Sequence, residues 1–135
     1  MHWSSGYVGL PFKDKGRDRE GVDCWGVVAL AYAEQCSIAL PSYTEAYASA
    51  EERGEIDALV KKAEAGWPWR RVEAVQTFDI AVFRRGGLDT HVGIVLEPGM
   101  MLHVEEGRES GVVRYDMPPW RNRLVAVYRH AEMVG

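Results

Sequence analysis

The pattern of apolar and polar residues changes character near the middle of the chain. Residues 24–35, CWGVVALAYAEQ, form an apolar run that is too long for a typical strand and rich in residues that favour helices. Asp23 lies directly before this run and is a good N-cap, and Pro41 follows beyond its end. The pattern predicts a buried helix. Residues 43–65 are acidic and rich in alanine, and they predict one or two surface helices that break near Gly54.

The second half of the chain, after Pro68, has the pattern of a β-sheet. Its apolar segments are short, β-branched and aromatic, and turn-forming residues separate them. The segments are 78–84, 91–96, 100–105, 111–115 and 124–129. The turn signals between them are Arg85-Gly-Gly, Glu97-Pro-Gly, Glu106-Gly and Pro118-Pro119. Helices followed by an antiparallel meander predict an α+β domain.

Composition and charge narrow the classes of partner. The chain has 135 residues, of which 47% are apolar and 27% charged, as in an ordinary globular protein, and one domain over residues 1–135 is expected. The formal net charge is −4. Binding to nucleic acid is not expected, because sequence-independent binding draws its affinity from the neutralisation of phosphates. No apolar run approaches the ~18–20 residues that cross a bilayer, so membrane insertion is not expected either.

The two cysteines, Cys24 and Cys36, differ in their predicted surroundings. Their spacing along one helix is too long for a disulfide, and no Cys-x-x-Cys pair is present for a structural zinc, so two free thiols are expected. Cys24 lies in the first turn of the helix, where the dipole lowers the pKa of a thiol. A small buried hydrophobe is the commoner role of a cysteine, but the flanking Asp23 and Gly26 favour a reactive one. Cys36, near the other end, is assigned to packing.

A cysteine nucleophile needs a base, and the base needs an orienting group. His91 and His103 each fall at a strand edge within an apolar pattern, whereas the two other histidines lie near the chain ends and are expected to be solvated. A three-residue loop with Gly99 in the left-handed conformation pairs residue 103 with residue 93. The two imidazoles are then diagonal neighbours on one face of the sheet, with Cα atoms ~7–8 Å apart. Two unrelated surface histidines would not share a face.

Five sequence blocks follow one another in a recognisable order. They are Gly9-Leu-Pro-Phe12, Gly21-Val-Asp-Cys-Trp-Gly26, Asp79-Ile-Ala-Val-Phe83, His91-Val-Gly-Ile-Val95 and Leu102-His103. In this order and spacing the chain resembles the NlpC family of cell-wall cysteine peptidases, which are compact relatives of papain. The Asp-Cys-x-Gly and His-Val-Gly-Ile elements are specific in combination. The resemblance implies a compact papain-like α+β fold, with N-terminal helices packed on an antiparallel β-meander of about five strands.

The resemblance also implies a chemistry. Cys24 is the nucleophile, His91 is the base, and His103 is the polar group that orients the base. The implied reaction is hydrolysis of an amide bond in the peptidoglycan stem peptide through an acyl-thioester. Neither a metal nor an organic cofactor is implied.

Three positions depart from the pattern of the family. The family commonly has Tyr where this chain has Phe12, so oxyanion stabilisation has to come from backbone N–H groups such as that of the nucleophile. Trp25 stands in place of the common Ser after the cysteine, which in the family recognises a substrate amino terminus together with the residue at the position of Asp23. Asp23, Trp25 and Phe12 are assigned to substrate binding in this chain. Phe78 replaces a usual Gly, a change that is expected to have little consequence at a strand start.

A narrower resemblance concerns where the protein acts. The Asp-Cys-Trp-Gly variant, with Gly16-Arg-Asp-Arg19 upstream and Leu40-Pro41 downstream, is similar to members encoded with phage tails and tail-like gene transfer particles. Phage-tail-like structural proteins are the implied partners, beside the peptidoglycan peptide as substrate. The amino terminus has no basic segment followed by an apolar one, and no secretory signal is expected. Synthesis in the bacterial cytoplasm and incorporation into a particle tail are therefore expected.

Three other functions use the same residues. An acyltransferase with a related Cys-His fold would have an apolar channel in place of a polar cleft. A non-enzymatic tail-assembly adaptor would keep the fold, and an inert Cys24 would indicate it. A zinc site of Cys24, His91 and His103 would need one further ligand, and the absence of a close-spaced pair of ligands argues against it.

Overall fold

A computed structural model describes residues 3–13, 15–40, 69–85, 88–105 and 107–130. The surface helices predicted over 43–65 lie outside the described residues. Within the described ranges, no helix is long and apolar enough to cross a membrane.

The apolar run after Asp23 forms the predicted helix. Helix α1 spans Cys24–Ala31, and it continues as a π-helical turn over Tyr32–Cys36. The Asp23 side chain accepts a hydrogen bond from the backbone N–H of Gly26 at 2.7 Å, which satisfies one of the unpaired amides of the first turn. Ser37, with φ of 57°, ends the helical segment in the left-handed conformation. The predicted N-cap and helix are confirmed, although only the first two turns are α-helical.

Eight strands accompany this helix in the described part of the chain. A short hairpin of β1 (Arg17–Asp18) and β2 (Gly21–Val22) precedes it. The main sheet has six antiparallel strands. These are β3 (Trp69–Val72), β4 (Ile80–Arg85), β5 (Leu88–Glu97), β6 (Met100–His103), β7 (Gly111–Arg114) and β8 (Leu124–His130). Each of the five predicted strand segments overlaps one of the strands β4 to β8, and the α+β class is confirmed.

The order of the strands in the main sheet is β3-β8-β4-β5-β6-β7. Strands β4 to β7 are the predicted meander, because each pairs with the next one along the chain. The last strand returns past the meander and pairs with β4 on its other side. Strand β3, which has two arginines in four residues, has no alternating apolar pattern and is not predicted from the sequence.

Two apolar clusters fill the interior, and alternate residues of β4 divide between them. Ile80 and Val82 belong to the cluster that lies between α1 and the sheet, whereas Ala81 and Phe83 belong to a second cluster. The second cluster also contains Val95, Met101, Tyr115, Trp120 and Val127. The centre of the sheet is therefore covered on both faces, which explains why residues 80–83 of β4 and residues 91–96 of β5 lack a polar face.

The β5–β6 hairpin sets the register between the two central histidines. Ile94 pairs with Leu102 and Val95 with Met101, and one further step in this register places His103 opposite position 93. The turn has two residues rather than three, with Gly99 at φ of 96°, and an irregularity of β5 between Val95 and Glu97 supplies the extra residue. The predicted register is therefore confirmed, although the predicted loop length is wrong.

Phe78 adopts an unusual backbone conformation where β4 is about to begin. Its φ is 72°, in the left-handed region that glycine enters without strain. Its ring stacks on Trp3 with ring centres 4.7 Å apart, and its carbonyl accepts a hydrogen bond from the Tyr32 hydroxyl. The expectation that this position matters little is wrong, because a bulky side chain pays a conformational cost that only such contacts offset.

An ion pair joins the start of β4 to β8. The Nε of Arg129 donates to Oδ1 of Asp79 at 2.8 Å, and the Nη2 of Arg129 donates to Oδ2 at 2.9 Å. The same carboxylate accepts from the backbone N–H of Gln76 at 2.8 Å. Asp79 is buried, and the side chain of Arg129 is only 14% exposed. Removal of either partner leaves a charge in a poorly solvated place.

We predict that Asp79→Ala lowers the free energy of unfolding by about 3 kcal/mol, because the Arg129 guanidinium loses its two charge-assisted hydrogen bonds without gaining water. Urea denaturation followed by circular dichroism measures this change. The matched control is Asp116→Ala, which breaks a bidentate pair with Arg114 on the surface and is expected to change stability far less. Equal losses of unfolding free energy in the two variants would contradict the claim that burial makes the Asp79–Arg129 pair more important than a surface pair.

Candidate active site

Cys24 is buried at the contact between α1 and β5. It is the first residue of the helix, is 8% exposed and belongs to the first apolar cluster. A hydrogen bond with the backbone of Val92 stabilises its thiolate form. Since Val92 directly follows His91 in β5, the thiol lies against the strand within one residue of that histidine.

Burial raises the pKa of the Cys24 thiol to about 12. Loss of water is the largest cause, and the neighbouring carboxylate of Asp23 acts in the same direction. The backbone of Val92, the charge of Arg17 and the backbone of Trp25 lower it by less. The expected lowering of this pKa by the helix terminus is therefore wrong in direction, because desolvation of the thiolate outweighs the favourable dipoles.

Asp23, assigned to substrate binding, is engaged within the protein. Its Oδ1 accepts hydrogen bonds from the N–H of Gly26 and from Nη1 of Arg17, both at 2.7 Å. Its Oδ2 accepts from the backbone N–H of Lys15 at 3.1 Å. The carboxylate is buried and ties the β1 region to the start of α1. The structure thus shows Asp23 as an anchor for the start of α1, where Cys24 lies.

Gly26 allows this anchor to form. A Cβ at this position would collide with the carbonyl oxygen of Gly16 and would lie 3.2 Å from both Arg17 Nη1 and Asp23 Oδ1. The absence of a side chain at Gly26 therefore lets the backbone of Gly16 pack closely against the start of α1.

His91 and His103 form a buried pair. His91 Nε2 lies 2.9 Å from His103 Nδ1, within hydrogen-bond distance, and the two rings are nearly perpendicular, at 89°. Both residues are buried, at 2% and 6% exposure. The expected proximity of the two rings is observed. Since Nε2 of His91 faces His103, Nδ1 lies on the other side of the ring.

Trp120, which sequence reasoning missed, packs on both histidines. Its ring stacks on His91 with centres 4.9 Å apart at 23°, and it meets His103 edge-on at 5.0 Å. It is 6% exposed although it lies in the turn segment between β7 and β8. A tryptophan directly after Pro118-Pro119 in a polar stretch is the only signal in the sequence that could have indicated an anchored ring.

Phe12 and Trp25, the two other residues assigned to substrate binding, are partly buried against the first cluster. Phe12 forms an isolated bridge with Val22, two residues before Cys24. It also lines an open cleft of about 620 Å³, together with Pro11, Gly107, Arg108 and Glu109. Phe12 is therefore placed beside β2, the strand that leads into Cys24, and beside this cleft.

Cys36 has the packing role expected of it, whereas His130 is not solvated as expected. Cys36 is a free thiol that packs against the first cluster, and burial raises its pKa. His130 is buried, with its ring 6.1 Å from that of Tyr32, so its expected solvation is wrong. It is covered because β8 lies inside the sheet and not at an edge. His2 lies outside the described residues.

The zinc alternative gains no support from the geometry. Within the part of the chain that the structure describes, no three histidine, cysteine or acidic side chains converge so that they could hold a metal ion.

Comparison with known proteins identifies a family that matches most of the chain. The NlpC/P60 family matches residues 9–129, which include all five sequence blocks. The murein DD-endopeptidase MepS/murein LD-carboxypeptidase of Escherichia coli strain K12 is 27% identical over 119 residues, which are 87% of this chain and 54% of that protein. The chain thus spans about half the length of the curated relatives it matches.

Solved structures share the fold. The NlpC/p60 domain of the peptidoglycan hydrolase SagA superposes with a TM-score of 0.64 at 20% identity, covering 93% of this chain and 92% of that one. An NlpC/P60 family protein from Bacillus cereus ATCC 10987 gives 0.68 at 19% identity, with 95% and 38% covered. The peptidoglycan hydrolase RipB from Mycobacterium tuberculosis gives 0.57 at 19% identity, with 95% and 60% covered. By the extent of the family match and the agreement of the fold, the chain belongs to the NlpC/P60 family.

Proposed function

We propose that this chain is a cysteine peptidase that hydrolyses an amide bond in the stem peptide of peptidoglycan. The observation that carries the proposal is the buried His91–His103 pair, which lies one residue from the backbone that contacts the Cys24 thiol. Membership of the NlpC/P60 family supports it, and so do the names of MepS, SagA and RipB, which describe those proteins as murein or peptidoglycan hydrolases.

The proposed reaction runs in two halves around His91. Cys24 Sγ transfers its proton to Nδ1 of His91 and forms a bond to the carbonyl carbon of the substrate. The C–N bond then breaks, and the amine leaves with the proton from His91. Water next transfers a proton to His91 and attacks the thioester carbon. The C–S bond then breaks, the acid is released, and His91 returns the proton to the sulfur of Cys24.

Burial of the thiol makes a base necessary. A thiol with a pKa of about 12 and no acceptor would be ionised in only about one molecule in 100,000 at pH 7. The thiolate therefore has to form as the proton moves to a neighbouring group. His91 is the proposed acceptor because its Nδ1 is the nitrogen that does not face His103.

His103 is the proposed orienting group. For His91 to accept a proton at Nδ1, its Nε2 has to carry hydrogen and donate to Nδ1 of His103, which then carries its own proton on Nε2. The 2.9 Å contact survives when His91 becomes an imidazolium, because Nε2 remains the donor. This pair thereby sets both the tautomer and the direction of the base.

The proposed oxyanion contacts come from the backbone. Phe12 offers no hydroxyl, whereas the first residue of α1 has a backbone N–H that no carbonyl one turn earlier in the helix can bind. This N–H belongs to Cys24. A developing negative charge on the substrate carbonyl is stabilised there by this N–H group and by the helix dipole.

The proposed location is the tail of a phage or of a phage-like gene transfer particle, in contact with tail structural proteins, after synthesis in the bacterial cytoplasm. Its support is the Asp23-Cys-Trp-Gly26 variant with its flanking segments. Mass spectrometry of particles purified from the host tests this, and detection of the chain in host fractions but never in particles would contradict it.

We predict that Cys24→Ala abolishes the release of peptide fragments from purified peptidoglycan, measured by mass analysis of the soluble products. The fold is expected to persist, because the change removes chemistry and little volume. Cys36→Ala is the matched control and should keep activity, since this thiol serves packing. Activity that survives Cys24→Ala but not Cys36→Ala would overturn the assignment of the nucleophile.

We predict unequal effects for the two histidines. His91→Ala should lower kcat by about 10²- to 10⁴-fold, the usual contribution of a general base. His103→Ala should cost less, roughly tenfold, and His103→Asn should recover part of it because an amide can still accept from His91. Equal and complete loss in both alanine variants, together with loss of a bound metal, would favour the zinc alternative.

A further inference from the structure

The indole of Trp120 contacts both members of the histidine pair. It stacks on the face of His91 at 4.9 Å and meets the ring of His103 edge-on at 5.0 Å. Phe83 packs edge-on against the same indole at 5.2 Å. The His91–His103 hydrogen bond is thus bordered by a large apolar surface.

The turn that carries Trp120 is held independently of the histidines. The N–H of Arg123 donates to the carbonyl of Trp120 at 2.9 Å, and the N–H of Arg121 donates to the carbonyl of Met117 at 3.0 Å. The N–H of Arg84 on β4 donates to the carbonyl of Arg123 at 2.8 Å. These bonds fix the backbone on both sides of the indole, and the ring of Phe83 and the guanidinium of Arg123 pack against the indole itself.

A single hydrogen bond does not fix a histidine ring. The terminal torsion of histidine is broad, so the ring plane can rock about the direction of the bond from Nε2. A flat ring stacked against one face removes this freedom, because tilting the imidazole would drive its edge into the indole. Two orientations of the His91 ring that differ by a 180° flip share this plane, and the hydrogen bond to His103 selects the one with Nε2 facing His103.

We propose that Trp120 is a positioning residue for His91, an inference that rests on the proposed function. The indole holds the plane of the imidazole so that Nε2 stays on His103 and Nδ1 stays on the opposite side of the ring. It also keeps water from the Nε2–Nδ1 hydrogen bond, which strengthens that bond in a medium of low polarity. The base is thereby kept in one tautomer and one orientation.

The competing explanation is that Trp120 only fills space in the second apolar cluster. Phe and Met separate the two explanations, because they have similar volumes and leave similar gaps at position 120. Phe keeps a flat face for His91, whereas Met is flexible and has none. A pure packing role predicts equal effects from the two substitutions.

The experiment compares Trp120→Phe with Trp120→Met in two measurements. In peptidoglycan-fragment hydrolysis, Trp120→Met should lower kcat by about tenfold or more with KM changed less than about twofold, while Trp120→Phe should stay within about threefold of the wild type in kcat. In NMR spectra without substrate, the wild type and Trp120→Phe should show a slowly exchanging imidazole N–H proton from the histidine pair. Trp120→Met should lose this signal.

Tyr115→Met is the control for cluster packing. Tyr115 belongs to the same cluster, is also 6% exposed and contacts Phe83 edge-on. This variant should keep the N–H signal and kcat even though it loses stability. If the Met variant of Trp120 fails to fold, Trp120→Leu, which also lacks a flat face, replaces it in both measurements. The wild-type spectrum checks the stacking itself, because an indole face should move ring protons of His91 upfield.

Equal behaviour of the Phe and Met variants in both measurements, or unshifted His91 ring protons in the wild type, would overturn the positioning role. The NMR measurement needs no substrate. An inactive wild type with the predicted spectra would therefore contradict the proposed function while leaving the role of Trp120 intact.

Discussion

The carboxylate of Asp23 determines where Cys24 lies. It caps α1 through a buried hydrogen bond from the N–H of Gly26, and it binds the partly buried guanidinium of Arg17. The helix consequently begins at Cys24, and its first residue is pressed against β5 beside Val92. Loss of the cap would shift the start of the helix and move the thiol relative to the strand. The geometry of the site thus depends on one short network that precedes the reactive residue.

The same burial determines how the chemistry has to proceed. A helix terminus favours a thiolate, but removal of water from the thiol has the larger effect, and Asp23 adds to it. An isolated thiolate is therefore unfavourable at this position. In the proposed mechanism, proton transfer to His91 creates an ion pair and not an isolated anion. In this mechanism His91 takes the proton, and His103 holds the other side of the His91 ring at 2.9 Å.

Local patterns in the sequence predict a large part of this fold and of the candidate site. The cap before α1 and the alternating strands follow from short-range preferences, and the register that brings His91 to His103 follows from parity and a turn at Gly99. Features that depend on tertiary packing could not be predicted in this way. The return of β8 into the centre of the sheet and the stacking of Trp120 on His91 join segments that are remote in sequence. The raised pKa of Cys24 likewise depends on the residues that cover the thiol, and no local sequence pattern indicates which residues these are.

Coupling of the Cys24 thiol to His91 is the central claim, and alkylation by iodoacetamide across pH 5–9, quantified for each cysteine by mass spectrometry, tests it most directly. In the wild type, Cys24 should already react near pH 7, where an uncoupled thiol of pKa about 12 would be almost entirely protonated. In His91→Ala the reaction should remain slow throughout this range, with Cys36 as the internal reference. Identical, slow profiles for Cys24 in the two proteins would show that no coupled thiolate exists, and a non-enzymatic adaptor would then be the better description.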